Sequence, residues 1–311
     1  MNHKITLFAS SSVALNLVSY LFSKELLACV VVTSRLDADS QMLLQTLSQH
    51  NIPHFVFNEN DDRQNLDILN QVKSDLALVF GFSHKLSSLI LKHFNNDIFN
   101  IHASLLPKYR GSQPLFWQLK NGEASSALSL CRISENFDDG EIVIQKKFDI
   151  DSKDTFGILV GTVSKIVINI VDEFLSVLNK EEKILSASAQ IGKATSAPKV
   201  EAKDIIIEWE KMNSMDIVNL ARACNPIFGG AQTVLKSFYL NILEATIVDM
   251  PNLGLKAGTI IHIGAPEGLI VSTIDSAVRV DIISVPDGVF SGLRFAKRFN
   301  IDAGDRFLST V

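Results

Sequence analysis

Short apolar runs alternate with amphipathic stretches along the first hundred positions of the chain. The runs that fit buried strands occupy residues 5–9, 26–33, 53–57 and 75–80. Between them, apolar side chains recur every three or four positions over residues 13–22, 40–48 and 65–72, which predicts helices. Strands that alternate with helices favour a parallel, doubly wound α/β sheet of the Rossmann-like type.

The hydrophobic pattern changes in the second half of the chain. Strands are predicted at 128–133 and 141–148, and a long amphipathic helix follows at 155–178. After a polar stretch, one helix at 215–224 precedes a series of short strands at 233–235, 240–248, 258–263, 268–272 and 278–285. Short strands at this spacing are typical of a small barrel. We therefore predict an α/β domain over residues 1–181, a linker over 182–204, and a smaller, mostly β, barrel-like (OB-like) domain over 205–311.

The composition is that of an ordinary globular protein. At 311 residues the chain can bury two cores, and its net charge of −5 gives no overall basic surface. Cys29, Cys131 and Cys224 lie far apart without metal-ligand spacing, so we expect free thiols in a reducing compartment. The N-terminus lacks the apolar core of a signal peptide, and no apolar run approaches the roughly 20 residues of a transmembrane helix. We therefore expect a cytoplasmic protein with no metal site and no membrane partner.

Glycine is absent from the first 80 residues. A dinucleotide-binding turn and a P-loop both need glycine after the first strand, because the backbone must approach a phosphate closely. The sheet is therefore nucleotide-binding in topology but lacks the signature of a dinucleotide site. Ligands of such sheets lie beyond the carboxyl ends of the strands, where the segments around Gly81 and around Ile101 are expected.

The candidate chemistry lies in one amide, one imidazole and one carboxylate. Asn100 and His102 are two positions apart at a predicted strand end, so their side chains point to the same side. Asp138 follows His102 by 36 residues, enough for a helix and a strand that return the chain to the same edge. Asn100 and His102 can stabilise an oxyanion, and Asp138 can orient His102 and relay a proton through water. These groups suit acyl transfer to an amine without a covalent intermediate, since no serine or cysteine lies in a nucleophile elbow.

Each part of this pattern also has a purely structural interpretation. Most Asn-x-His pairs are structural, and Asp138 opens an Asp-Asp-Gly sequence that has the composition of a solvated turn. The run from Ser104 to Gly111 fits an ordinary loop whose backbone is set by its proline and glycine. The joint occurrence of these features at the end of a parallel-sheet pattern is what favours a functional site.

A longer stretch of sequence carries a family resemblance. Residues 99–111, Phe-Asn-Ile-His-Ala-Ser-Leu-Leu-Pro-Lys-Tyr-Arg-Gly, resemble the signature of the 10-formyltetrahydrofolate-dependent formyltransferases. The resemblance implies that Asn100, His102 and Asp138 are catalytic and that 10-formyltetrahydrofolate is the co-substrate. Residues 79–86 resemble the loop that receives the pterin ring, largely through backbone groups, and residues 134–138 resemble the opposite wall. The implied folate-binding residues are Phe82, Ser83, His84, Leu86, Asn100, Ser134, Glu135, Phe137 and Asp138.

The resemblance extends to the C-terminus. Residues 194–199, 207–209, 223–230 and 304–307 look like segments of the methionyl-tRNA formyltransferases, including their barrel-like C-terminal domain. Nearly the whole chain is therefore covered by the similarity. Within these segments we interpret residues 225–230 as a helix stop and turn, and Trp209 as a core anchor.

The chain departs from the tRNA-specific enzymes in the loop after the second strand. Those enzymes usually carry a long basic insertion there. In this chain residues 34–52 are short and hold one arginine, Arg35, against Asp37 and Asp39. The loop therefore offers little to the acceptor stem of a tRNA.

The charge of the C-terminal region points the same way. Residues 205–311 hold nine lysine and arginine residues against eleven aspartate and glutamate residues, a net charge of −2. A tRNA-binding face needs several basic phosphate contacts. Arg294, Lys297 and Arg298 form a small basic group, which a solvated helix face explains equally well.

The acceptor is predicted from weaker signals. The first strand–helix turn, Ser10-Ser11-Ser12, offers hydroxyls and helix N-terminal amides to a phosphate, although simple N-capping also explains it. Residues 113–123 look more like formyltransferases that act on nucleotide-linked amino sugars, and Trp117 either lines the acceptor pocket or belongs to the core of its helix. The implied acceptor-binding residues are Ser10, Ser11, Ser12, Ser104, Pro107, Arg110, Gly111 and Trp117.

The sequence therefore predicts a folate-dependent formyltransferase with small-molecule partners. A nucleotide-linked amino sugar or another small amine is slightly favoured as acceptor over initiator methionyl-tRNA. Two alternatives are hydrolysis of the formyl-folate by water at the same site and a non-catalytic binding role with a vestigial site. The intact set of Asn100, His102 and Asp138 argues against the last of these.

Overall fold

The computed structural model describes residues 3–34, 37–74, 76–134, 136–180, 187–251 and 254–309. The chain divides into two compact units. Unit 1 comprises Met1–Pro114, Ser125–Asp149 and Val160–Pro198, and unit 2 comprises Leu115–Ala124, Ile150–Leu159 and Lys199–Val311. The predicted domain limits at residues 181 and 205 stay a prediction. Residues 187–198, which lie within the predicted linker, belong to unit 1.

Strands and helices alternate along the first 132 residues, and two consecutive strands then precede a long helix. In chain order the elements are β1 (Ile5–Phe8), α1 (Leu15–Ser23), β2 (Leu27–Thr33), α2 (Ala38–Gln49), β3 (His54–Phe57), α3 (Asp62–Gln71), β4 (Leu76–Phe80), α4 (Ser88–His93), β5 (Ile98–His102), α5 (Pro114–Lys120), β6 (Ser125–Arg132), β7 (Ile142–Asp149) and α6 (Phe156–Lys180). A 3-10 turn at Ser12–Ala14 leads into α1.

Unit 1 is built on a seven-stranded sheet in the order β3-β2-β1-β4-β5-β6-β7. Strands β1 to β5 pair in parallel, and β6 and β7 pair antiparallel at one edge. The strand order reverses beside β1, so the crevice between β1 and β4 is a topological switch point. The carboxyl ends of β1, β4 and β5 are neighbours at this edge of the sheet, which is where ligands of such folds bind.

Helices cover both faces of this sheet. Successive side chains on a strand point to opposite faces, and two neighbours on β5 show the consequence. Ile98 packs in one cluster with Ile90 of α4, whereas the Phe99 ring lies 4.7 Å from the Phe174 ring of α6. Strands buried on both faces are apolar at almost every position, which is why their sequence pattern predicted them. The predicted doubly wound α/β fold is confirmed.

Two helices begin earlier than the apolar periodicity predicts. Helix α2 begins at Ala38 instead of residue 40, because the Asp37 carboxylate accepts the N–H of Ser40 at 2.9 Å. Helix α3 begins three residues early for the same reason, with the Asp61 side chain as its cap. Such caps satisfy helix N–H groups that have no intrahelical partner. The N–H of Ser40 also holds the pKa of the Asp37 carboxyl below its usual value.

Unit 2 is mostly antiparallel β structure. Beyond α5, its elements are a 3-10 turn (Ala202–Ile205), α7 (Ser214–Cys224), β8 (Ala231–Leu235), β9 (Phe238–Val248), β10 (Ile260–Gly264), β11 (Gly268–Ser272), β12 (Ala277–Val285), β13 (Gly288–Ser291), α8 (Gly292–Arg298) and β14 (Phe307–Leu308). The sheet runs in the order β10-β11-β12-β9-β8-β14, with β13 paired to β12. It curls into a half-barrel, which confirms the predicted barrel-like C-terminal fold.

Trp209 anchors the core of unit 2. Its side chain is buried, its Nε1 donates to Thr233 Oγ1 at 2.9 Å, and its ring lies 5.4 Å from the ring of Phe307. The Thr233 hydroxyl donates in turn to the carbonyl of Leu308 on β14 at 2.9 Å. The interpretation of Trp209 as a core residue is therefore confirmed.

The cysteines Cys29, Cys131 and Cys224 are free thiols, and each is buried. Burial raises the pKa of Cys29 to about 11 and the pKa values of Cys131 and Cys224 to about 12. Because the thiolate is the reactive form, we expect no cysteine of the native protein to be alkylated at pH 8, and all of them to be alkylated in guanidinium chloride. Mass spectrometry distinguishes the two states. Alkylation of a native cysteine would mean that its surroundings open under native conditions.

Candidate active site

The predicted amide, imidazole and carboxylate lie together at the end of β5. Asn100 and His102 are among the last three residues of this strand. Asn100 Nδ2 donates to Asp138 Oδ1 at 2.7 Å, and Asp138 Oδ2 lies 3.5 Å from His102 Nδ1. Asp138 lies on the turn after β6, the antiparallel neighbour of β5. The return path that the sequence implied therefore brings the three groups within contact of one another.

Asp138 is held from several directions. Besides the Asn100 amide, the N–H of Gly111 donates to Asp138 Oδ2 at 2.8 Å. The Asp138 side chain is 8% exposed, and its backbone lies in the left-handed region with a φ of 52°. That conformation costs a non-glycine residue roughly 1–3 kcal/mol and persists only where the surrounding contacts impose it. The carboxylate is therefore a buried acceptor in a fixed position.

His102 is oriented by a backbone carbonyl. The side chain is buried, and its Nε2 lies 2.8 Å from the carbonyl oxygen of Tyr109. A carbonyl can only accept, so Nε2 carries a hydrogen and donates it. Nδ1 is then the nitrogen that faces Asp138. The 3.5 Å separation there is longer than a good hydrogen bond, so Nδ1 is not held tightly by the carboxylate.

The loop after β5 is fastened from within. The Ser104 hydroxyl donates to the carbonyl of Lys108 at 2.6 Å, and the Ser104 carbonyl accepts from the Ser129 hydroxyl at 2.6 Å. Pro107 is also buried. The structure thus places Ser104 and Pro107, two predicted acceptor contacts, in the internal packing of the loop. Contact between either residue and an acceptor stays a prediction.

Residues 187–198 form an extended segment, here called the strap, that pairs with this loop. Thr195 accepts the N–H of Tyr109 through its Oγ1 and the N–H of Arg110 through its carbonyl, both at 2.9 Å. The N–H of Ala197 donates to the carbonyl of Arg110 at 2.7 Å. The strap was not predicted from the sequence, because a polar segment held by backbone pairing has no hydrophobic pattern.

The Arg110 guanidinium is engaged by protein groups. Its Nη1 lies 2.6 Å from Asp139 Oδ1, and its Nε and Nη2 donate to Gln190 Oε1 of the strap at 3.1 and 2.7 Å. Gln190 Nε2 donates in turn to the carbonyls of Asp138 and Gly140, at 2.8 Å each. An acceptor would have to compete with these partners for Arg110. Gln190 was not predicted, and its only sequence signal was its position just before a segment that resembles the family.

Gly111 has no room for a side chain. Its φ is +124°, and a Cβ at this position would lie 2.6 Å from the carbonyl oxygen of Ala197 in the strap. Gly111→Ala must therefore displace the strap or the loop, and with it the N–H that binds Asp138. We expect this variant to lose about 2–3 kcal/mol of unfolding free energy and to lose turnover by about tenfold or more. Urea denaturation and steady-state kinetics measure the two effects.

Gly192→Ala is the matched control for this variant. Gly192 also has a positive φ, +114°, within the strap, but the nearest atom to its Cβ is Pro107 Cγ at 3.9 Å. This variant measures backbone strain without the collision. Equal losses in the two variants would contradict the close approach at Gly111.

The loop after β4 directs most of its predicted ligand side chains into the protein. The Phe82 ring packs edge-on against rings from β1 and β3, at centroid distances of 5.4 and 5.6 Å, and Leu86 is buried in the same cluster. His84 Nε2 lies 3.0 Å from Glu59 Oε1 and also contacts Thr33 Oγ1. These three side chains therefore fix the course of the loop.

The backbone of the same loop is open. Ser83 and Lys85 are exposed, and within the described ranges their backbone groups have no hydrogen-bond partner in the protein. On the turn after β6, the Ser134 hydroxyl donates to the carbonyl of Asn136 at 3.0 Å, while the Phe137 ring is 63% exposed. Glu135 lies outside the described residues. The two segments thus offer unpaired backbone groups and one exposed aromatic ring.

The serine turn after β1 lies at the same edge of the sheet. The N–H of Ser10 donates to the carbonyl of Gly81 at 2.9 Å, and Ser11 caps the 3-10 turn that follows. The N–H of Ser12 donates to Asp39 Oδ1 at 3.2 Å, so a carboxylate already lies at this helix start and would repel a phosphate. The Ser10 hydroxyl is buried and has no partner within the part of the chain that the structure describes. Phosphate binding here stays a prediction.

Trp117 is the one predicted site residue that belongs to the second compact unit. It belongs to unit 2, on α5, whereas the other predicted site residues belong to unit 1. Its ring contacts Phe116 edge-on at 5.3 Å, and Lys120 Nζ lies 5.0 Å from its centroid. Trp117 is half-buried. Its role as an acceptor contact stays a prediction.

Two further properties concern only the described residues. Among them, no group of three or more histidine, cysteine, aspartate or glutamate side chains is arranged to hold a metal ion. No helix in the same ranges is long and apolar enough to cross a membrane.

Comparison of the whole sequence with protein families gives two matches. Residues 5–169 match the family described as "Formyl transferase", and residues 199–298 match "Formyl transferase, C-terminal domain". The chain belongs to the formyltransferase family. The prediction of a folate-dependent, formyl-transferring enzyme, made from the residues around Asn100 and His102, is confirmed.

Individual relatives agree with this family and differ in their acceptors. The methionyl-tRNA formyltransferase of Fervidobacterium nodosum is 27% identical over 227 residues, which cover 72% of this chain and 71% of that protein. The N-formyltransferase of Helicobacter canadensis, solved with folinic acid and dTDP-3-aminofucose, has a TM-score of 0.66 and 18% identity over 93% of this chain and all of its own. At this identity the likeness shows the fold alone.

A further solved structure shares only part of its length with this chain. HypX from Aquifex aeolicus, in complex with tetrahydrofolic acid, has a TM-score of 0.62 and 16% identity over 96% of this chain and 48% of its own. The formyltransferase chain described here therefore spans about half of HypX. This likeness, too, concerns the fold.

Proposed function

We propose that this formyltransferase moves the formyl group of 10-formyltetrahydrofolate to a small primary amine. The observation that carries the proposal is the convergence of Asn100, His102 and Asp138 at the end of β5. An amide donor, an imidazole and a fixed carboxylate are the groups that direct attack of an amine on a formyl carbon requires.

The reaction is a single substitution at the formyl carbon. The acceptor nitrogen attacks this carbon, the carbonyl electrons move to the oxygen, and the bond to folate N10 breaks as the oxyanion collapses. The proton lost by the attacking nitrogen goes to Asp138, directly or through water. Asp138 passes this proton on to N10, directly or through water, so N10 leaves as part of tetrahydrofolate, the carboxylate is regenerated, and the other product is the N-formyl amine. No bond to the protein forms.

Asn100 is the proposed donor to the oxyanion. Its Nδ2 carries two hydrogens, of which one goes to Asp138 Oδ1. The second hydrogen is left for the formyl oxygen. The bond to Asp138 also fixes the plane of the amide, so little reorganisation accompanies the reaction. His102 adds a second donor in its imidazolium form, in which Nδ1 also carries a hydrogen.

The open loop backbone fits the folate. A pterin ring carries alternating donors and acceptors along one edge, and the backbone groups of Ser83 and Lys85, which are unpaired within the described part of the chain, offer matching partners. The exposed Phe137 ring offers an apolar surface to the aromatic part of the molecule. Phe82, His84 and Leu86 then act by fixing the loop, in agreement with a site that reads the pterin mainly through backbone.

Two observations support a small acceptor. Strand β2 ends at Thr33 and α2 begins at Ala38, so the connection is too short to reach along an acceptor stem. At the serine turn, the Asp39 carboxylate next to Ser12 favours an acceptor that brings no phosphate to this point. The hydroxyl of Ser10, which has no partner among the described residues, can serve as a polar contact for such an acceptor.

Initiator methionyl-tRNA is the second candidate acceptor. The similarity to a methionyl-tRNA formyltransferase over 72% of this chain favours it. Its phosphates would have few cations to contact in unit 2. Only α8 presents a group of exposed cations without an ion pair among the described residues, formed by Arg294, Lys297 and Arg298. The paired cations of unit 2 contact a nearby carboxylate at 2.5–2.7 Å, namely Lys203, Lys211, Lys236, Arg279 and Arg306.

A parallel transfer assay tests the proposal. The enzyme is mixed with 10-formyltetrahydrofolate and, separately, with simple primary amines, nucleotide-linked amino sugars or charged initiator methionyl-tRNA, and formylated product is measured by mass spectrometry. We expect product with a small amine. Product from the tRNA alone, lost when Arg294, Lys297 and Arg298 are changed to glutamate, would replace the small amine by the second candidate. Formate without any acceptor would indicate hydrolysis, and folate binding without turnover would indicate a binding protein.

A further inference from the structure

The side-chain amide of Gln190 contacts the turn that carries the catalytic carboxylate. Gln190 Nε2 uses both of its hydrogens, one to the carbonyl of Asp138 and one to the carbonyl of Gly140, each at 2.8 Å. Its Oε1 accepts from Arg110 Nε and Nη2 at 3.1 and 2.7 Å. Gln190 lies on the strap, 52 residues beyond Asp138. One side chain therefore joins the strap, the loop after β5 and the turn after β6.

The turn that Gln190 bridges needs external support. Asp138 has a φ of 52°, and Gly140 lies so close to the preceding strand that a Cβ there would be 1.8 Å from the carbonyl oxygen of Arg132. A left-handed aspartate persists only when its surroundings impose the conformation. The two carbonyls that Gln190 binds lie on either side of Asp139. Fixing the carbonyl of Asp138 fixes the backbone of that residue, and with it the direction in which the Asp138 side chain leaves the chain.

We infer that Gln190 is a positioning residue of this enzyme. It holds the backbone of the Asp138–Gly140 turn so that the Asp138 carboxylate keeps its contacts with Asn100 and Gly111. Gln190 acts through Asp138 and does not itself touch the reacting atoms. The kinetic consequence of this inference rests on the proposed function, because it uses Asp138 as the acceptor of the proton.

The two ends of the amide have separable roles. Gln190→Glu keeps an acceptor for Arg110 but removes both hydrogens that bind the turn, and its carboxylate would face two carbonyl oxygens. Gln190→Ala removes both ends. If Gln190 positions the turn, both variants should lose kcat to a similar extent. If Gln190 serves only to hold Arg110, the glutamate variant should behave as the wild type.

We expect kcat to fall by about 10- to 100-fold in both variants, because a misplacement of about 1 Å at a reacting group has effects of this size. The KM for 10-formyltetrahydrofolate should change much less than kcat, since the loop after β4 is untouched and only the turn next to Phe137 is disturbed. Ile191→Ala is the control within the same strap, because the Ile191 side chain is 90% exposed. It should leave both constants unchanged.

Hydrogen–deuterium exchange gives a readout that needs no acceptor. The peptide that covers residues 136–141 should exchange faster in both Gln190 variants than in the wild type, and at the wild-type rate in Ile191→Ala. Wild-type kcat and exchange in Gln190→Glu would overturn the inference, and so would unaltered values in Gln190→Ala. If the alanine variant fails to fold, the nearly isosteric glutamate variant alone still tests whether Gln190 positions the turn. A wild-type enzyme that is inactive with every amine would count against the proposed function. The exchange experiment would still test whether Gln190 holds the turn in place.

Discussion

Asp138→Asn is expected to lower kcat by about a thousandfold, within the range for removal of a general base. The carboxamide has the shape of the carboxylate but only one accepting oxygen. In the structure both carboxylate oxygens accept, one from the Asn100 amide and one from the N–H of Gly111. One of these donors must therefore face an NH2 group, and the remaining oxygen cannot take a proton from the attacking amine. Single-turnover kinetics with saturating folate and amine measure this step.

The adjacent carboxylate provides the control for this prediction. Asp139→Asn changes a residue whose side chain is 36% exposed and whose Oδ1 pairs with Arg110. We expect its kcat to stay within about threefold of the wild type, because a partly exposed ion pair contributes little. Affinity for the folate should be retained in both variants. A kcat within tenfold of wild type for Asp138→Asn would remove Asp138 from the mechanism.

Asn100→Ala is expected to lower kcat by about a hundredfold to a thousandfold, the usual effect of removing one oxyanion donor. The variant loses the hydrogen proposed for the formyl oxygen and also leaves Asp138 Oδ1 without its donor at 2.7 Å. Asn100→Asp should be at least as inactive, because it places a second carboxylate against Asp138. Steady-state kinetics with the acceptor identified in the transfer assay measure both variants.

An asparagine remote from the site provides the comparison for Asn100. Asn70 is exposed on α3, and Asn70→Ala should leave kcat unchanged. Thermal unfolding should show that Asn100→Ala is folded at the assay temperature. Near-normal turnover by a folded Asn100→Ala would show that the oxyanion is stabilised by other donors, and it would leave His102 as the first candidate.

The parts of this enzyme that the sequence could predict are those with a repeating physical pattern. Strand β4 is buried along its whole length, and its five apolar residues predicted it. The convergence of Asn100, His102 and Asp138 followed from strand periodicity and from the return path of one helix and one strand. The family resemblance predicted the folate co-substrate. In the structure, Asp138 lies within 3.5 Å of both the Asn100 amide and the His102 imidazole.

The features that the sequence could not predict depend on individual polar contacts. Gln190 and Thr195 bind the site through an amide and a hydroxyl, which no periodicity signals. Arg110 has the chemistry of an anion-binding residue, but its guanidinium is engaged by Asp139 and Gln190. No sequence pattern marks Asp39, yet its carboxylate places a negative charge at the start of the first helix. Each of these contacts joins residues that are far apart in the sequence, so no local sequence pattern predicts it.

Because the strap follows the other site residues in the sequence, it is the last part of the site to be synthesised by the ribosome. Asp138 and Arg110 have both been synthesised when translation reaches α6, but the strap residues that bind them, from Gln190 to Ala197, are synthesised later. A nascent chain that ends within α6 therefore carries every proposed catalytic side chain and cannot yet hold the Asp138 turn in its strained conformation. The contacts around Asp138 are completed by a segment that follows α6 in the sequence, and we expect a nascent chain of this formyltransferase to acquire activity only after residue 198 has left the exit tunnel.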